Sequence, residues 1–186
     1  MQAEGKLPDV LTFAGNGEPT IHPDFSAIID DTIRLRNTYC PEAQVSVLSN
    51  ATQAGVPSVK DALLRVDNNI LKLDTIDADF IHFMDRPTHP YNVEKTIQAL
   101  ESYEGKLIIQ TMFLTGESNG RNADNTGESF VKPWIEALKR IRPKQVMIYT
   151  IDRETPDAGL KKASPETLDR IADLLNAEGF KVSVSY

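Results

Sequence analysis

Two hydrophobic periods alternate along the chain. Short β-rich runs occur at Asp9–Ala14, Gln44–Leu48, Ile70–Asp74, Leu107–Phe113, Gln145–Ile151 and Phe180–Ser185. They are near-continuous apolar stretches, the pattern of strands covered on both faces of a parallel sheet. Between them the period lengthens to that of a helix. Phe25, Ile28, Ile29, Thr32, Ile33 and Leu35 form one apolar stripe between Pro23-Asp24 and Pro41. A shorter helix is predicted over Ser58–Val66, with Ser58 as N-cap. A third runs from Pro90 to Glu104 with Val93, Ile97, Leu100 and Tyr103 inward, and Gly105 stands where a helix end favours left-handed backbone. The fourth, Glu128–Arg142, buries Val131, Trp134, Ile135, Leu138 and Ile141. The fifth has Ser164 as N-cap and Pro165 at its first position; Leu168, Ile171, Leu174 and Leu175 point inward and Gly179 follows its end.

This order is β(αβ)5 and implies right-handed parallel crossovers, in a doubly wound sheet or a piece of a barrel. No linker or low-complexity tract interrupts it, so residues 1–186 read as a single domain. One long polar loop, Thr115–Ser129, follows the fourth strand. Loops at strand C-terminal ends carry the sites of parallel α/β folds, which directs attention to the strand ends.

Composition narrows the classes. The chain has 186 residues, 40% hydrophobic and 25% charged, ordinary values for one globular domain. Its net charge of −7 argues against a broad grip on phosphate backbones or anionic membranes. No apolar run approaches a membrane span, and Met1–Lys6 has no signal-peptide pattern, so a cytoplasmic setting is expected. The single cysteine, Cys40, excludes an internal disulfide and an iron–sulfur cluster held by three or four thiolates of this chain.

The strongest local signal runs from Thr12 to Pro23, through Gly15-Asn16-Gly17-Glu18-Pro19, between a strand and an amphipathic helix. Gly15 and Gly17 let the backbone turn sharply and a ligand approach it. The third glycine of a dinucleotide fingerprint would fall at Thr20, and Pro19 stands where its helix would begin, so dinucleotide binding is not expected. A plain glycine-rich turn is the simpler alternative. Ser49 and Asn50 end a strand and suit either ligand binding or turn capping. Lys72 and Asp74 place alternating charges in a buried strand, costly unless paired or functional. Gln110 and Met112 alternate toward one side of theirs. Asp77 with Asp79, and Asp152 with Glu154, crowd two loops and read as solvated rims. His82 and His89 are too scattered for a zinc site. The Lys139-Arg140-Arg142-Lys144 run reads as a helix C-terminal cap rather than an RNA site.

Asn16-Gly17-Glu18-Pro19 resembles the GGEP motif of radical S-adenosylmethionine (SAM) enzymes, and Thr20-Ile21-His22-Pro23 resembles its common continuation. The strand ends at Val45–Thr52, Leu71–Asp74, Leu107–Phe113 and Val146–Asp152 resemble the later strands in order. Gln110-Thr111-Met112-Phe113, Asp124-Asn125-Thr126 and Asp152–Pro156 are most similar to a bacterial group of Fe–S oxidoreductases. That group is related to the tRNA wyosine-base-forming enzyme and, more distantly, to pyruvate formate-lyase activating enzyme. The likeness implies an incomplete parallel (βα) barrel. It also implies that Gly17 and Glu18 hold the amino group of SAM, since an ammonium needs acceptors, with Gly15 and Asn16 beside them in the cofactor-binding set. Ser49, Asn50, Lys72 and Gln110 become candidates for its carboxylate and ribose, Tyr149 and Ile151 for the neighbourhood of adenine, with Asp74 and Met112 also in the cofactor-binding set.

One departure matters. The family carries Cys-x-x-x-Cys-x-x-Cys upstream of the GGEP-like segment, whose thiolates hold a [4Fe–4S] cluster. Here no such triplet exists. The chain is therefore expected to be a core portion without the first βα unit, inactive alone, with SAM and the cluster belonging to an intact parent. Self-association through an exposed barrel edge is expected, with no membrane partner and the substrate open among protein, peptide and RNA base. Two alternatives remain: a metal- or carboxylate-dependent lyase or hydrolase using Glu18, Asp74, Asp152 and Glu154, and a non-catalytic binding module.

Overall fold

The computed structural model describes residues 5–15, 17–153, 155 and 157–186. The chain divides into two compact units, Met1–Lys72 and Leu73–Tyr186. Asn16, Glu154 and Pro156 lie outside the described residues.

In the first unit, β1 (Val10–Phe13), α1 (Phe25–Tyr39), β2 (Gln44–Ser49), α2 (Pro57–Arg65) and β3 (Asn68–Lys72) alternate. The strands are parallel, with Leu11 opposite Val45 and Leu48 opposite Ile70. Four of the six β2 residues are buried, as a strand covered on both faces requires. β1 departs from that expectation: its residues are exposed or half-buried, with Val10 at 43%. The stripe of α1 is also narrower than its sequence suggests, because Phe25 and Ile29 are buried whereas Leu35 is exposed. Pro57 opens α2 behind Val56, so Ser58 lies inside the helix rather than capping it. Proline suits the first position because its fixed φ is helical and no amide is lost there.

Arg36 ties this unit together below the strands. Its Nη1 donates to Ala43 O at 2.6 Å and to Asp67 Oδ2 at 2.8 Å, while Val45 N–H donates to the same Asp67 oxygen at 2.7 Å. One ion pair thus fixes the entries of β2 and β3 together.

The second unit runs α3 (Ala78–Met84), α4 (Val93–Glu101), β4 (Ile108–Met112), β5 (Leu114–Ser118), β6 (Arg121–Asn122), α5 (Glu128–Ile141), β7 (Gln145–Tyr149), β8 (Leu160–Lys162), α6 (Pro165–Ala177) and β9 (Val182–Ser185). β4, β7 and β9 are parallel, with Ile109 opposite Val146 and Ile148 opposite Val184. The mixed α/β class and the mostly parallel strands are therefore as the alternating pattern predicts.

Four features of this unit differ from the pattern. The helix predicted from Pro90 begins at Val93, because Asn92 Oδ1 caps Lys95 N–H at 2.9 Å. A seven-residue helix, α3, precedes it, started by Asp77, whose Oδ1 accepts Phe80 N–H at 2.7 Å. The loop expected at Thr115–Ser129 holds β5 and β6, joined through Asn119 and Gly120, both at positive φ. Asn-Gly is the pair that a two-residue hairpin turn with left-handed backbone favours. β8 completes this small antiparallel sheet against β5, with Gly116 opposite Leu160. In α6, Leu174 is 38% exposed rather than inward, while Leu168, Ile171 and Leu175 are buried.

The core of the second unit centres on Trp134, which meets Phe113 edge-on at 5.4 Å and 89°. Its indole N–H donates to Leu73 O at 3.0 Å, and Thr111 Oγ1 donates to the same carbonyl at 2.8 Å. These bonds satisfy a carbonyl just beyond β3 and fix the backbone on which Asp74 stands.

Candidate functional site

Each unit carries one set of the strand-end residues singled out by sequence. In the first, the chain leaves β1 and turns at Gly15, whose φ of 149° is conformational space that glycine adopts readily. A Cβ built at Gly15 or at Gly17 would meet no atom within 4 Å, so there is open space beside both glycines. Glu18 then caps a short 3₁₀ helix, Pro19–Ile21. Its Oε1 accepts Thr20 N–H at 3.0 Å and Thr20 Oγ1–H at 2.6 Å, and its Oε2 accepts Asn50 N–H at 2.6 Å. A carboxylate offers about four acceptor positions, so Glu18 spends most of its capacity holding the turn against the end of β2.

That end is itself well defined. Ser49 is buried and its Oγ accepts Ala51 N–H at 3.1 Å; Ala51 takes a left-handed φ of 63°. Asn50 Oδ1 accepts Thr52 N–H at 3.0 Å and Thr52 Oγ1–H at 2.7 Å, an Asx turn. The structure thus bonds Glu18 to Asn50, with Ser49 beside them bonded to Ala51. Lys72, half-buried, closes β3 in the same unit.

The second unit holds a cleft of about 440 Å³, within the range of small-molecule sites. Phe80 and Met84 of α3, Met112, Leu114, Ile151 and Leu160 give it apolar walls, while Asp74, Asn125 and Tyr149 add polar groups. Four residues of the cofactor-binding set, Asp74, Met112, Tyr149 and Ile151, therefore share one cavity. Gln110 is half-buried and is not among its lining residues; its carbonyl accepts Leu73 N–H at 3.1 Å. Asp85, Asp152 and Arg153 stand at the cleft, which is acidic on balance. Tyr91 reports the same field: burial raises its phenol above the ordinary value, a hydrogen bond with Thr96 lowers it, and the charges of Asp85 and Asp74 raise it further.

Asn125 was not selected as a site residue by sequence, although Asp124-Asn125-Thr126 figured in the family likeness. The structure makes it the hub of this cleft. Its Oδ1 accepts Leu114 N–H at 2.9 Å, and its Nδ2 donates to Met112 O at 2.9 Å and Asp74 O at 3.5 Å. Met112 N–H in turn donates to Asp74 Oδ1 at 2.7 Å.

The remaining polar candidates serve local structure. Asp77 caps α3, Lys139 pairs with Glu136 and Glu178, and Arg140 pairs with Glu94 and Glu101. Among the described residues no group of three or more His, Cys, Asp or Glu could hold a metal ion. Cys40 is buried at the end of α1. The described residues thus do not fit a [4Fe–4S] cluster.

No family model matches the chain. It is 27% identical over 164 residues to a UPF0026 protein of Helicobacter pylori strain J99, covering 86% of this chain and 49% of that protein. A UPF0026 protein of Methanocaldococcus jannaschii is 25% identical over 172 residues, covering 90% of this chain and 50% of that protein. The chain spans about half the length of the curated relatives it matches. Among solved structures, a radical SAM methyltransferase from Sphaerobacter thermophilus matches with a TM-score of 0.72 at 18% identity, over 100% of this chain and 53% of that one. A domain of pyruvate-formate lyase-activating enzyme from Bacteroides vulgatus matches at 0.67 and 18% identity, over 95% of this chain and 98% of that one. Streptococcus suis SuiB bound to S-adenosylmethionine matches at 0.68 and 12% identity, over 95% of this chain and 39% of that one. The fold is that of the radical SAM enzymes. No helix among the described residues is long and apolar enough to cross a membrane.

Proposed function

We propose that this chain is the SAM-binding core of a cytoplasmic radical SAM oxidoreductase. The observation that carries the reading is the open space beside Gly15 and Gly17 past the end of β1, followed by Glu18 clasped to Asn50, in a chain with the radical SAM fold. SAM, when bound in such an enzyme, supplies a 5′-deoxyadenosyl radical for hydrogen abstraction once one electron reaches it. The work of this chain's own residues is to bind and orient. Gly17 offers exposed backbone to the amino group, and Glu18 keeps acceptor capacity for an ammonium beside its three structural bonds. From the family likeness, Ser49, Asn50 and Lys72 of the first unit and Gln110 of the second are the candidates for the carboxylate and ribose. Asp74, an acceptor-only group, suits ribose hydroxyls, while Met112, Tyr149 and Ile151 give the adenosyl group an apolar bed. Kinship to the wyosine-base-forming enzyme rests on the Gln110–Phe113, Asp124–Thr126 and Asp152–Pro156 strings alone.

Alone, the chain binds SAM without cleaving it, because it has one thiol and that thiol is buried. The test is calorimetric titration of SAM into the chain, with Gly17→Val and Tyr149→Ala as variants. SAM is expected to bind, and each variant to weaken it about tenfold, the equivalent of ~1.4 kcal/mol. No heat of binding at millimolar SAM overturns the reading. Anaerobic reconstitution with iron and sulfide is expected to give no cluster absorbance, and a stable [4Fe–4S] spectrum overturns the assignment to a portion without its cluster.

A further inference from the structure

We propose that Asn125 is a positioning residue, which aims the Asp74 carboxylate at the hydroxyl groups of a ribose in the second unit's cleft. The proposal rests on the SAM reading above and adds to it a residue whose side-chain hydrogen bonds go to the protein backbone. Its foundation is a closed ring of three hydrogen-bonded residues. Met112 N–H donates to Asp74 Oδ1 at 2.7 Å, Met112 O accepts from Asn125 Nδ2 at 2.9 Å, and the same Nδ2 reaches Asp74 O at 3.5 Å. Asn125 is 1% exposed and Oδ1 is held by Leu114 N–H at 2.9 Å, so its amide orientation is fixed by one acceptor role and two donor roles.

The ring explains how a carboxylate keeps one orientation at a strand end. Beyond β3 the Asp74 side chain grips Met112 N–H, while Leu73 O is held from the other side by Thr111 and Trp134. A carboxylate aimed in this way accepts hydroxyl hydrogens without first losing rotamer freedom, which is where preorganisation raises affinity. A ribose presents two adjacent hydroxyl donors, and a carboxylate at the end of a parallel strand is a known chemical partner for such a group. The bond toward Asp74 reaches its main-chain carbonyl, so Asn125 acts on the carboxylate through the backbone of Asp74 and Met112, and all three ring members line the cleft.

The chain has one tryptophan, and its indole N–H bonds the carbonyl next to Asp74, so one NMR signal reports on the ring. The experiment titrates the whole chain with adenosine and with 2′,3′-dideoxyadenosine, following that signal and the backbone amides. Asn125→Asp keeps the acceptor for Leu114 N–H and loses both donor bonds; Asn125→Ser is the smaller second variant. Adenosine is expected to shift the Trp134 signal, and either variant to weaken it about tenfold while changing dideoxyadenosine less than about twofold, a coupling that vanishes in an Asp74→Asn background. Equal weakening of both nucleosides, or an undiminished effect without the Asp74 charge, overturns the positioning role. Unfolding of both variants does so as well, because it makes Asn125 a fold determinant. If SAM perturbs Asn50 and Gly17 while adenosine leaves Trp134 unmoved, the positioning role fails and the SAM reading stands. If SAM perturbs nothing, both fail.

Discussion

Glu18 and Asn50, 32 residues apart in sequence, are joined by a 2.6 Å hydrogen bond from the Asn50 amide to Glu18 Oε2. The bond is charge-assisted and short, the stronger kind. It makes Glu18 a clasp between the ends of β1 and β2 as well as a cap for the 3₁₀ helix. Glu18→Ala removes the clasp and the cap together and is expected to cost about 2–3 kcal/mol in a urea titration. Glu18→Gln keeps one acceptor and should cost about half as much. Equal midpoints for both variants and the parent would show that the clasp contributes nothing.

One identifiable pair should lose part of its stabilising effect in acid. At Asp67, burial pushes the carboxyl up, but the Val45 amide and the Arg36 guanidinium outweigh it and hold it below its ordinary value. A carboxyl depressed in the folded state contributes stability above its unfolded pKa, ~3.9, and loses it as pH falls through the lower folded value. Between neutral pH and about pH 5 that contribution is constant, and below about pH 4 it declines. Asp67→Asn should therefore be less stable at pH 7, with the gap to the parent closing in acid. A gap independent of pH in parallel unfolding curves would refute this assignment.

Two glycines of the β5 hairpin separate backbone strain from crowding. Gly116 has φ 96°, and a Cβ there would lie 2.2 Å from Gly159 O; Gly120 has φ 73° and open space around it. Gly120→Ala is expected to cost about 1 kcal/mol, the conformational penalty alone. Gly116→Ala must also push two paired backbones apart, so it should exceed about 3 kcal/mol and expose the amides of β8 to exchange. Comparable costs at the two positions, read from thermal unfolding and hydrogen exchange, would mean that β5 and β8 separate freely.

The β1 edge offers a test of assembly. Among the described residues β1 pairs with β2 alone, and Val10 is exposed. An unpaired edge strand recruits other strands. Light scattering should show self-association that Val10→Lys reduces; a monomer at high concentration contradicts it.

Much of this was legible in the sequence because periodicity reports burial. β2, α5 and α6 stand close to where their apolar spacing puts them. The misses have specific causes. α3 spans only two turns, too short for a helical period to rise above its neighbours, and its start lies in the Asp77 cap. The antiparallel hairpin hid in a polar stretch whose one signal was Asn119-Gly120. β1 carries the apolar residues of a covered strand yet is only exposed or half-buried, because composition does not reveal which strand lies at an edge. The strand-end candidates Asp74, Met112, Tyr149 and Ile151 were found by alternation and family likeness. Asn125 escaped because its role lies in three backbone bonds, which no side-chain pattern encodes.

The Leu73 carbonyl supplies the last prediction, since it accepts from both Thr111 and Trp134. A carbonyl oxygen has two lone pairs, and losing one donor leaves it satisfied while losing both leaves it orphaned in the core. Thr111→Val, which keeps the shape of the side chain, should therefore cost about 1 kcal/mol. Trp134→Phe should cost more, about 2–3 kcal/mol, because indole volume against Phe113 is lost with the hydrogen bond. The double variant should exceed the sum of the two by about 1 kcal/mol, the penalty of an unpaired buried carbonyl. Strict additivity in a double-mutant cycle would show that the carbonyl finds another donor, and that the backbone before Asp74 is less firmly held than these two bonds imply.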